Sequence, residues 1–328
     1  MFAFALSRLS QAVPVLLAIS LIGFAMFAYV GDPVLIAVGQ EHSEAQRQLL
    51  ASQLGLDQPF YIQYLRFLWG ALHGDFGISY SYGRPVAALI AERLPATLEL
   101  AFAAFAVALM GAVPLGVYTG ISQRPLVSRS ILLASLVGAS APTFVVGILL
   151  ILCFSVGLGW FPSFGRGEVV HVGQFWSTGL LTRSGLRALV LPAIALGSLQ
   201  MAMILRLIRA EIMQATRASY LRFARARGLP SRSIYFVHAL RNALVPVITT
   251  TGVQLGNLIA FSLVTESVFH WPGLGLLFVS AVRAADIPVM AAYLMLAGTT
   301  FVAVNLCVDL CHYAIDPRLR AGAAAASA

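Results

Sequence analysis

The stretch Tyr220-Leu-Arg-Phe-Ala-Arg-Ala-Arg-Gly228, followed by His238-Ala-Leu-Arg-Asn-Ala-Leu-Val-Pro246, is the most informative part of this chain. It lies within residues 206–243, which carry eight of the 21 basic residues and separate two long apolar stretches. Membrane proteins keep loops rich in positive charge on the cytoplasmic side. The stretch therefore predicts a cytoplasmic loop, and its internal order predicts that the loop is held by a partner.

The composition of the 328-residue chain indicates a protein that crosses a membrane several times. Hydrophobic residues make up 59% and charged residues only 10%, and the mean hydropathy is +0.86. Soluble domains carry about 25% charged residues. The net charge of +8 does not indicate nucleic-acid binding, because the basic residues do not form a clustered face on a soluble fold.

The chain contains 21 Arg and no Lys, which excludes some chemistry. A phosphate-binding P-loop and a Schiff base both require Lys. Any process that this protein couples to ATP through a P-loop therefore requires another chain to bind the nucleotide. Cys153, Cys307 and Cys311 lie in or beside apolar stretches, and their number and spacing indicate small buried side chains and predict neither a disulfide framework nor a zinc site.

Six segments are long and apolar enough to predict transmembrane helices. They are residues 9–30, 96–120, 131–158, 189–205, 244–264 and 289–310. The loops on one side hold 13 Arg and two acidic residues, and those on the other side hold eight Arg and nine acidic residues. The first set, which includes both termini, is predicted to be cytoplasmic.

These spans define the predicted organisation of the chain. Residues 1–30 form the N-terminal cytoplasmic end and the first span, and residues 31–95 form an external, periplasmic helical segment. Residues 96–310 form a five-helix core that contains the cytoplasmic loop 206–243. Residues 311–328 form a cytoplasmic tail, whose end from Ala321 is of low complexity and predicted to be disordered.

The external segment is predicted to contain two helices. Ser43-Glu-Ala-Gln46 fits a capping box with Gly55 closing that helix, and Asp57 with Pro59 can begin a second one. The second helix places apolar side chains at helical spacing: Phe60, Tyr64, Phe67 and Leu68. They fit equally a helix in the outer membrane interface and a helix packed against the spans.

The cytoplasmic loop is predicted to form two helices joined by a sharp turn. Ser219 is expected to cap a helix over 220–227, Gly228 to adopt a left-handed conformation, and Pro230 to stop the helix. Ser231 or Ser233 is expected to begin the next helix. Such a short helix fits a groove on a partner, with the following residues at the contact: Tyr220, Phe223 and Ala224 in the groove, flanked by Arg222, Arg225 and Arg227. The alternative is that these Arg residues only set the membrane topology.

At this point the sequence resembles a known family, the permease subunits of binding-protein-dependent ABC importers, and most closely its dipeptide, oligopeptide and nickel branch. The cytoplasmic stretch is similar to the "EAA" coupling loop of that family. Further matches follow in the family's order, at Gly31-Asp-Pro33, Leu54-Gly-Leu-Asp-Gln-Pro59, His73-Gly-Asp-Phe-Gly-Ile-Ser79, Leu94-Pro-Ala-Thr-Leu-Glu-Leu100, Thr265-Glu-Ser-Val-Phe-His-Trp-Pro-Gly-Leu-Gly275 and Asp316-Pro-Arg318. Arg222 and Phe223 depart from the broad consensus, where many permeases carry Glu and Ala.

The resemblance implies an all-α membrane protein with six transmembrane helices and the MetI-like fold of type I ABC importer permeases. It implies a homologous permease partner, two ATPase subunits that bind ATP and Mg²⁺, and a periplasmic binding protein, with no cofactor on this chain. It implies a bacterial inner-membrane location and coupling through residues 220–228. A second segment on the external side, Glu266-Ser-Val-Phe-His-Trp-Pro-Gly273, resembles a loop that folds back toward the translocation path, with Glu266, Phe269, Trp271, Pro272 and Gly273 as its gate residues. Trp271-Pro272 is either a stiff wedge there or a turn anchored by Trp at the membrane interface.

Two other classes of protein remain as alternatives. An ion-coupled carrier needs ionisable groups deep in the membrane, whereas Glu99 and Asp309 are expected near span ends, and Glu99 is favoured there by the helix dipole. A membrane enzyme needs a cluster of catalytic or metal-binding groups, and the six His residues are scattered. Within the importer family, peptide is favoured by the breadth of that branch, and nickel or another small solute is the alternative.

Overall fold

The structure is a computed structural model that describes residues 2–29, 58–122, 124–173, 176–230, 233 and 240–315. Its elements, in chain order, are α1 (Phe2–Tyr29), α2 (Phe60–Leu72), α3 (Val86–Ile121), α4 (Pro125–Ser140), α5 (Thr143–Leu150), a π-helical continuation (Ile151–Gly157), strands β1 (Val170–Val172) and β2 (Trp176–Thr178), α6 (Arg183–Arg217), α7 (Ser219–Ala226), α8 (Leu240–Phe261), α9 (Leu263–Val268), α10 (Leu274–Arg283) and α11 (Ile287–Ile315). The two strands form an antiparallel hairpin in which Val170 pairs with Thr178. The expected features at residues 30–57, 231–232, 234–239 and 316–328 lie outside the described residues.

Three of the described helices are long and apolar enough to cross a membrane, namely Val86–Ile121, Arg183–Arg217 and Ile287–Leu310. A fourth crossing is added when α4 and α5 with its continuation are counted as one broken span. Helices α1 and α8 stand at the positions of the first and fifth predicted spans. The order of the predicted spans is therefore kept, while the total of six crossings stays a prediction.

The third predicted span, residues 131–158, is broken into two helices. Helices α4 and α5 meet at an angle of 103°. Ala141 between them is extended, with φ −79° and ψ 130°. The cause is Pro142, because a proline removes a helical hydrogen bond and disfavours the helical conformation of the residue before it.

Helices α3 and α6 form the centre of the fold and run in the same direction. Gly197 approaches Ala104 near the middle of both helices, and Gly116 and Gly120 approach Ile208 and Ile212 further along. A Cβ atom added at Gly120 would lie 2.8 Å from the Ile212 side chain. Small residues at helix contacts allow such close approach in membrane proteins, where packing drives association.

Helix α11 runs antiparallel to two neighbours. Against α1, Arg8 pairs with Asp309 at 3.1 Å, and Gly23 approaches Ala291. Against α8, Gly252 approaches Val308, and Gly256 approaches Val304. The pair of Arg8 with Asp309 places the start of α1 and the end of α11 at the same end of the helix bundle.

Helix α2 packs against the first span through its aromatic side chains. Phe24 of α1 lies 5.0 Å from the ring of Phe60 and 5.5 Å from that of Tyr64. The Tyr64 hydroxyl is also 2.7 Å from the Ser20 hydroxyl. Packing against the spans is therefore confirmed for this face, while Tyr61 and Trp69 on other parts of α2 are exposed and their place in the membrane interface stays a prediction.

Several helix ends differ from the predicted ones. Helix α3 begins at Val86, ten residues before the predicted start, with Pro95 inside it. Helix α6 extends to both sides of the predicted 189–205. The predicted fifth span, 244–264, is interrupted after Phe261, and the short helix α9 follows. Polar residues continue α3 and α6 beyond their apolar runs, so an apolar run alone marks only the central part of these two helices.

Candidate functional site

The predicted coupling segment is a separate short helix, α7, that follows α6 after one extended residue, Ala218. It ends in a turn at Arg227 and Gly228, where the Arg227 amide donates to the Phe223 carbonyl at 3.0 Å. Gly228 has φ +76°, so the predicted left-handed conformation is confirmed. The expected N-cap at Ser219 is wrong, because Ser219 is the first residue of the helix.

One face of α7 is anchored in the bundle and another is open. Leu221 is fully buried in a cluster with Ile208, Ile212 and Val247. Phe223 is 64% exposed, and the Arg227 guanidinium carbon lies 5.6 Å from the centre of its ring. Four further predicted coupling residues belong to the segment, but the positions of their side chains lie outside the description: Tyr220, Arg222, Ala224 and Arg225.

At the opposite end of α3 and α6, the segment predicted to lie on the external side forms a buried junction around Glu266. We call it the outer junction (residues 263–275 with residues 96–99 of α3). The Glu266 carboxyl group accepts hydrogen bonds from the Thr97 and Ser262 hydroxyls at 2.8 and 2.9 Å. It accepts two more from the Gly275 and Leu276 amides at 2.7 and 3.1 Å. Burial raises the pKa of Glu266, and these hydrogen bonds oppose the rise.

Trp271 is the main packing anchor of the outer junction. Only 1% of it is exposed, and its indole Nε1 donates to the Ala96 carbonyl at 2.8 Å. The neighbouring Phe269 is buried against Ile151, Leu191 and Ala195. The ring of Trp271 is therefore buried against other residues of this chain. A role of residues 266–273 in gating stays a prediction.

Two glycines allow the segment to fold this tightly. A Cβ atom added at Gly273 would meet the Glu266 carboxylate and the Thr97 hydroxyl, and one added at Gly275 would meet the Leu263 backbone. Pro272 stands just before the first of them, and the Gly273 amide donates back to the Trp271 carbonyl at 2.7 Å. The turn also contains His270 at φ +46°, which is rare for a residue with a side chain.

A buried ion pair that the sequence did not predict joins the outer junction to the loop before the β-hairpin. Arg166 donates to Glu99 Oε2 through Nε at 3.0 Å and Nη2 at 2.6 Å. Their side chains are 6% and 3% exposed. Helix α3 begins at Val86, so Glu99 lies more than three turns inside it. The expected helix-dipole explanation for Glu99 is therefore wrong, because that effect is confined to the first turn.

Another buried acidic residue, Asp286, stabilises the turn that precedes α3. It accepts hydrogen bonds from the Ser79 hydroxyl and from the amides of Tyr80 and Ser81, the last two at 3.2 and 3.1 Å. Burial, and then the charge of Asp286, raise the pKa of Tyr80 to about 12. Glu99 and Asp286 stand out in the sequence as acidic residues in a very apolar chain. Because a buried carboxylate needs a specific partner, this pattern could have indicated that each of them is paired.

The two candidate regions lie at opposite ends of the bundle. Leu221 packs near the C-terminal ends of α3 and α6, and Trp271 packs against Ala96 and Leu189 near their N-terminal ends. The helical rise from Leu189 to Ile208 corresponds to roughly 30 Å. In the part of the chain that the structure describes, no three His, Cys, Asp or Glu side chains form a group that could hold a metal ion.

Comparison with known proteins gives the same picture over the whole chain. Residues 112–321 match the family described as binding-protein-dependent transport system inner membrane component. Residues 1–101 match the N-terminal region of the same kind of membrane component.

Individual relatives extend over nearly the full length. The chain is 36% identical over 321 residues to a putative peptide transport system permease protein of Brucella abortus (strain 2308), covering 98% of this chain and 99% of the relative. It is 36% identical over 337 residues to a dipeptide transport system permease protein of Escherichia coli (strain K12), with the same coverage. It is 35% identical over 333 residues to a di/tripeptide transport system permease protein of Pseudomonas aeruginosa (strain UCBPP-PA14), again covering 98% and 99%. As its motifs predicted, the chain belongs to the MetI-like family of inner-membrane permease components of binding-protein-dependent ABC importers.

Proposed function

We propose that this chain forms half of the translocation path of an ATP-driven importer for di- or oligopeptides. The observation that carries the proposal is the similarity over 98% of the chain to permeases named for dipeptide and di/tripeptide transport. The complex contains a homologous permease, two ATPase subunits that bind ATP and Mg²⁺, and a periplasmic binding protein that delivers the peptide. This chain itself catalyses no reaction and binds no cofactor.

Helix α7 is the contact with an ATPase subunit in this proposal. Support comes from its anchored Leu221 and its open Phe223, because a short helix fixed on one side can place the other side in a groove. ATP binding brings the ATPases together, α7 moves with them, and the spans change from one state to the other. Differential contacts of α7 in the two states supply the free energy of that change.

The orientation follows from the distribution of charge. Arg-rich loops at 121–130 and 206–243 lie at the end of the bundle that holds α7, which we assign to the cytoplasm together with both termini. The outer junction then faces the periplasm, between the incoming peptide and the spans. Its gate residues Glu266, Phe269, Trp271, Pro272 and Gly273 act by fixing the shape of the mouth rather than by touching the peptide.

The test is purification of the chain from its native membranes in mild detergent, with mass spectrometry of the proteins that accompany it. A second permease, ATPases with a Walker A motif and a binding protein are expected. The binding protein is then titrated with a peptide library and with nickel–histidine complexes. Binding of nickel complexes alone refutes the peptide assignment, and recovery of the chain alone, under conditions that keep other membrane complexes intact, refutes the importer.

A further inference from the structure

The middle of α6 and α8 carries polar side chains that helix packing within this chain does not require. We call Gln200 and Met203 of α6 with Thr250, Gln254 and Asn257 of α8 the amide stripe. The three residues of α8 are spaced four and three apart, so they share one face of the helix. Thr250 is exposed, and Gln254 and Asn257 are half-buried.

One hydrogen bond joins two members of the amide stripe within α8, and a second contact connects α8 to α6. The Asn257 amide nitrogen donates to Gln254 Oε1 at 2.8 Å, and Gln254 Nε2 approaches the Met203 sulfur at 3.5 Å. A side-chain amide has two N–H donors and an acceptor oxygen with two lone pairs. The bond between Gln254 and Asn257 therefore leaves further donors and acceptors on both side chains.

Gln200 is an independent sign that a polar partner comes from outside the described chain. It lies one turn before Met203, near the middle of α6, and is only 7% exposed. Its Oε1 is buried and accepts no hydrogen bond from the described residues. A buried acceptor without a donor costs about 1–3 kcal/mol in a folded protein, so such an atom needs an explanation.

The amide stripe borders an apolar cavity of about 500 Å³ between α1, α8 and α11. Asn257 forms part of its wall together with Ala260, Leu294, Ala297 and Phe301. Ligand sites are typically apolar clefts of about 300–1,000 Å³ with a few placed polar groups. Side-chain amides beside an apolar cavity are complementary to a peptide, because its main chain offers N–H and C=O groups and its side chains are often apolar.

We propose that Gln254 and Asn257 hydrogen-bond the main chain of the peptide in transit, while the adjoining cavity receives an apolar side chain. The proposal rests on the proposed function and adds a subsite for peptides within the spans. The depth of the stripe agrees, since transporters place substrate sites near the middle of the membrane. Gln200 is the buried member of the stripe, and in this proposal its free acceptor meets a peptide N–H when α6 and α8 move apart.

The first test uses the complete transporter in membrane vesicles, with radiolabelled trialanine supplied on the binding protein. Gln254→Leu and Asn257→Leu are each expected to lower uptake per unit of complex roughly three- to tenfold, the effect of losing one hydrogen bond. Asn305→Leu, which removes an amide from α11, is the matched control and is expected to leave uptake unchanged. The amount of partner permease and ATPase that copurifies is measured for each variant.

The outcomes separate a substrate site from a subunit contact. Reduced uptake by a fully assembled complex supports the proposal. Loss of the partner permease from either Leu variant overturns it, because the stripe is then an interface between permeases. Unchanged uptake also overturns it. If the unaltered transporter imports no trialanine or any other peptide, the proposed function fails instead.

A second variant tests the cavity. Ala297→Phe places an aromatic ring in the cavity. It is expected to lower uptake of trileucine at least about fivefold more than uptake of triglycine, because only trileucine has apolar side chains that can fill the cavity. Equal effects on the two peptides contradict the assignment of the cavity to a side chain. Competition by a depsipeptide, which replaces an amide N–H by an ester oxygen, is expected to be weaker than competition by the matching peptide.

Discussion

The guanidinium of Arg166 donates two hydrogen bonds to the Glu99 carboxylate, and its central carbon lies 6.0 Å from the centre of the Trp271 ring. The same guanidinium donates to the carbonyl of Ser177 in the β-hairpin at 2.6 Å. One side chain therefore connects α3, the hairpin and the outer junction. Because the pair is almost fully buried, its partners depend on each other more strongly than those of a surface ion pair.

Glu99→Ala is expected to destabilise the protein by about 3–5 kcal/mol, because it leaves the Arg166 charge buried without its partner. The measurement is the midpoint of thermal unfolding in detergent. Glu92→Ala is the control, since the pair of Glu92 with Arg84 is exposed on both sides, and its midpoint should barely move. The double variant Glu99→Ala with Arg166→Leu should recover part of the loss, and a single variant as stable as the unaltered protein contradicts the buried-pair interpretation.

Gly273→Ala is expected to destabilise the outer junction, because the added methyl group meets the Glu266 carboxylate and the Thr97 hydroxyl. Overpacking of this kind typically costs about 1–3 kcal/mol. Gly138→Ala offers a matched control within α4, where an added Cβ has no neighbour within 4 Å. The control is expected to be neutral or stabilising by up to about 1 kcal/mol. The measurement is the midpoint of thermal unfolding of both variants in detergent. Equal midpoints for the two variants refute the steric argument.

Gly228→Val is expected to uncouple ATP hydrolysis from uptake while the protein still inserts. A β-branched residue at φ +76° is strained, so the turn after α7 must change shape. Gly228→Asn is the control, because Asn tolerates the left-handed conformation. ATP hydrolysis and peptide uptake are measured on the same vesicles, and normal coupling in the Val variant argues against α7 as the coupling helix.

Replacement of Arg222, Arg225 and Arg227 by Gln is expected to weaken ATPase docking, and the remaining association should depend less on salt than that of the unaltered protein. The fraction of ATPase that copurifies at low and high ionic strength measures both effects. Arg124→Gln with Arg129→Gln, in the other Arg-rich loop of the same end, serves as the control. Docking that survives the triple replacement means that these charges only set topology.

Sequence patterns were most informative where a local rule determines the structure. Gly228 before Leu229-Pro230 predicted a left-handed helix end. The spacing of Phe60 and Tyr64 predicted a shared face of α2, while the choice between the membrane interface and the spans was left open. Both depend on residues close together in the chain. Pro142 is a similar local signal, because a proline interrupts a helix, although it does not determine the 103° bend between α4 and α5.

Contacts between distant residues were beyond these rules. Glu99 and Arg166 are 67 positions apart, and Ser79 and Asp286 are 207 positions apart. No periodicity relates such pairs, and only the packing of α3 against the loops brings them together. Glu266 was assigned to the outer segment from a resemblance, yet one of its donors, Thr97, is 169 positions away, and the sequence alone does not bring the two together.

The glycine contacts between α3 and α6 have a mechanical consequence. Gly197 near the middle and Gly116 and Gly120 near one end bring the two helices so close that sliding of one along the other would produce clashes. They therefore tilt together as one rigid lever arm, roughly 30 Å long. A tilt of about 10° moves the far end of such an arm by roughly 5 Å, the scale of one helical turn. In the proposed transport cycle, we expect this arm to transmit a displacement of α7 toward the outer junction, and we expect bending at the breaks at Pro142 and Ser262.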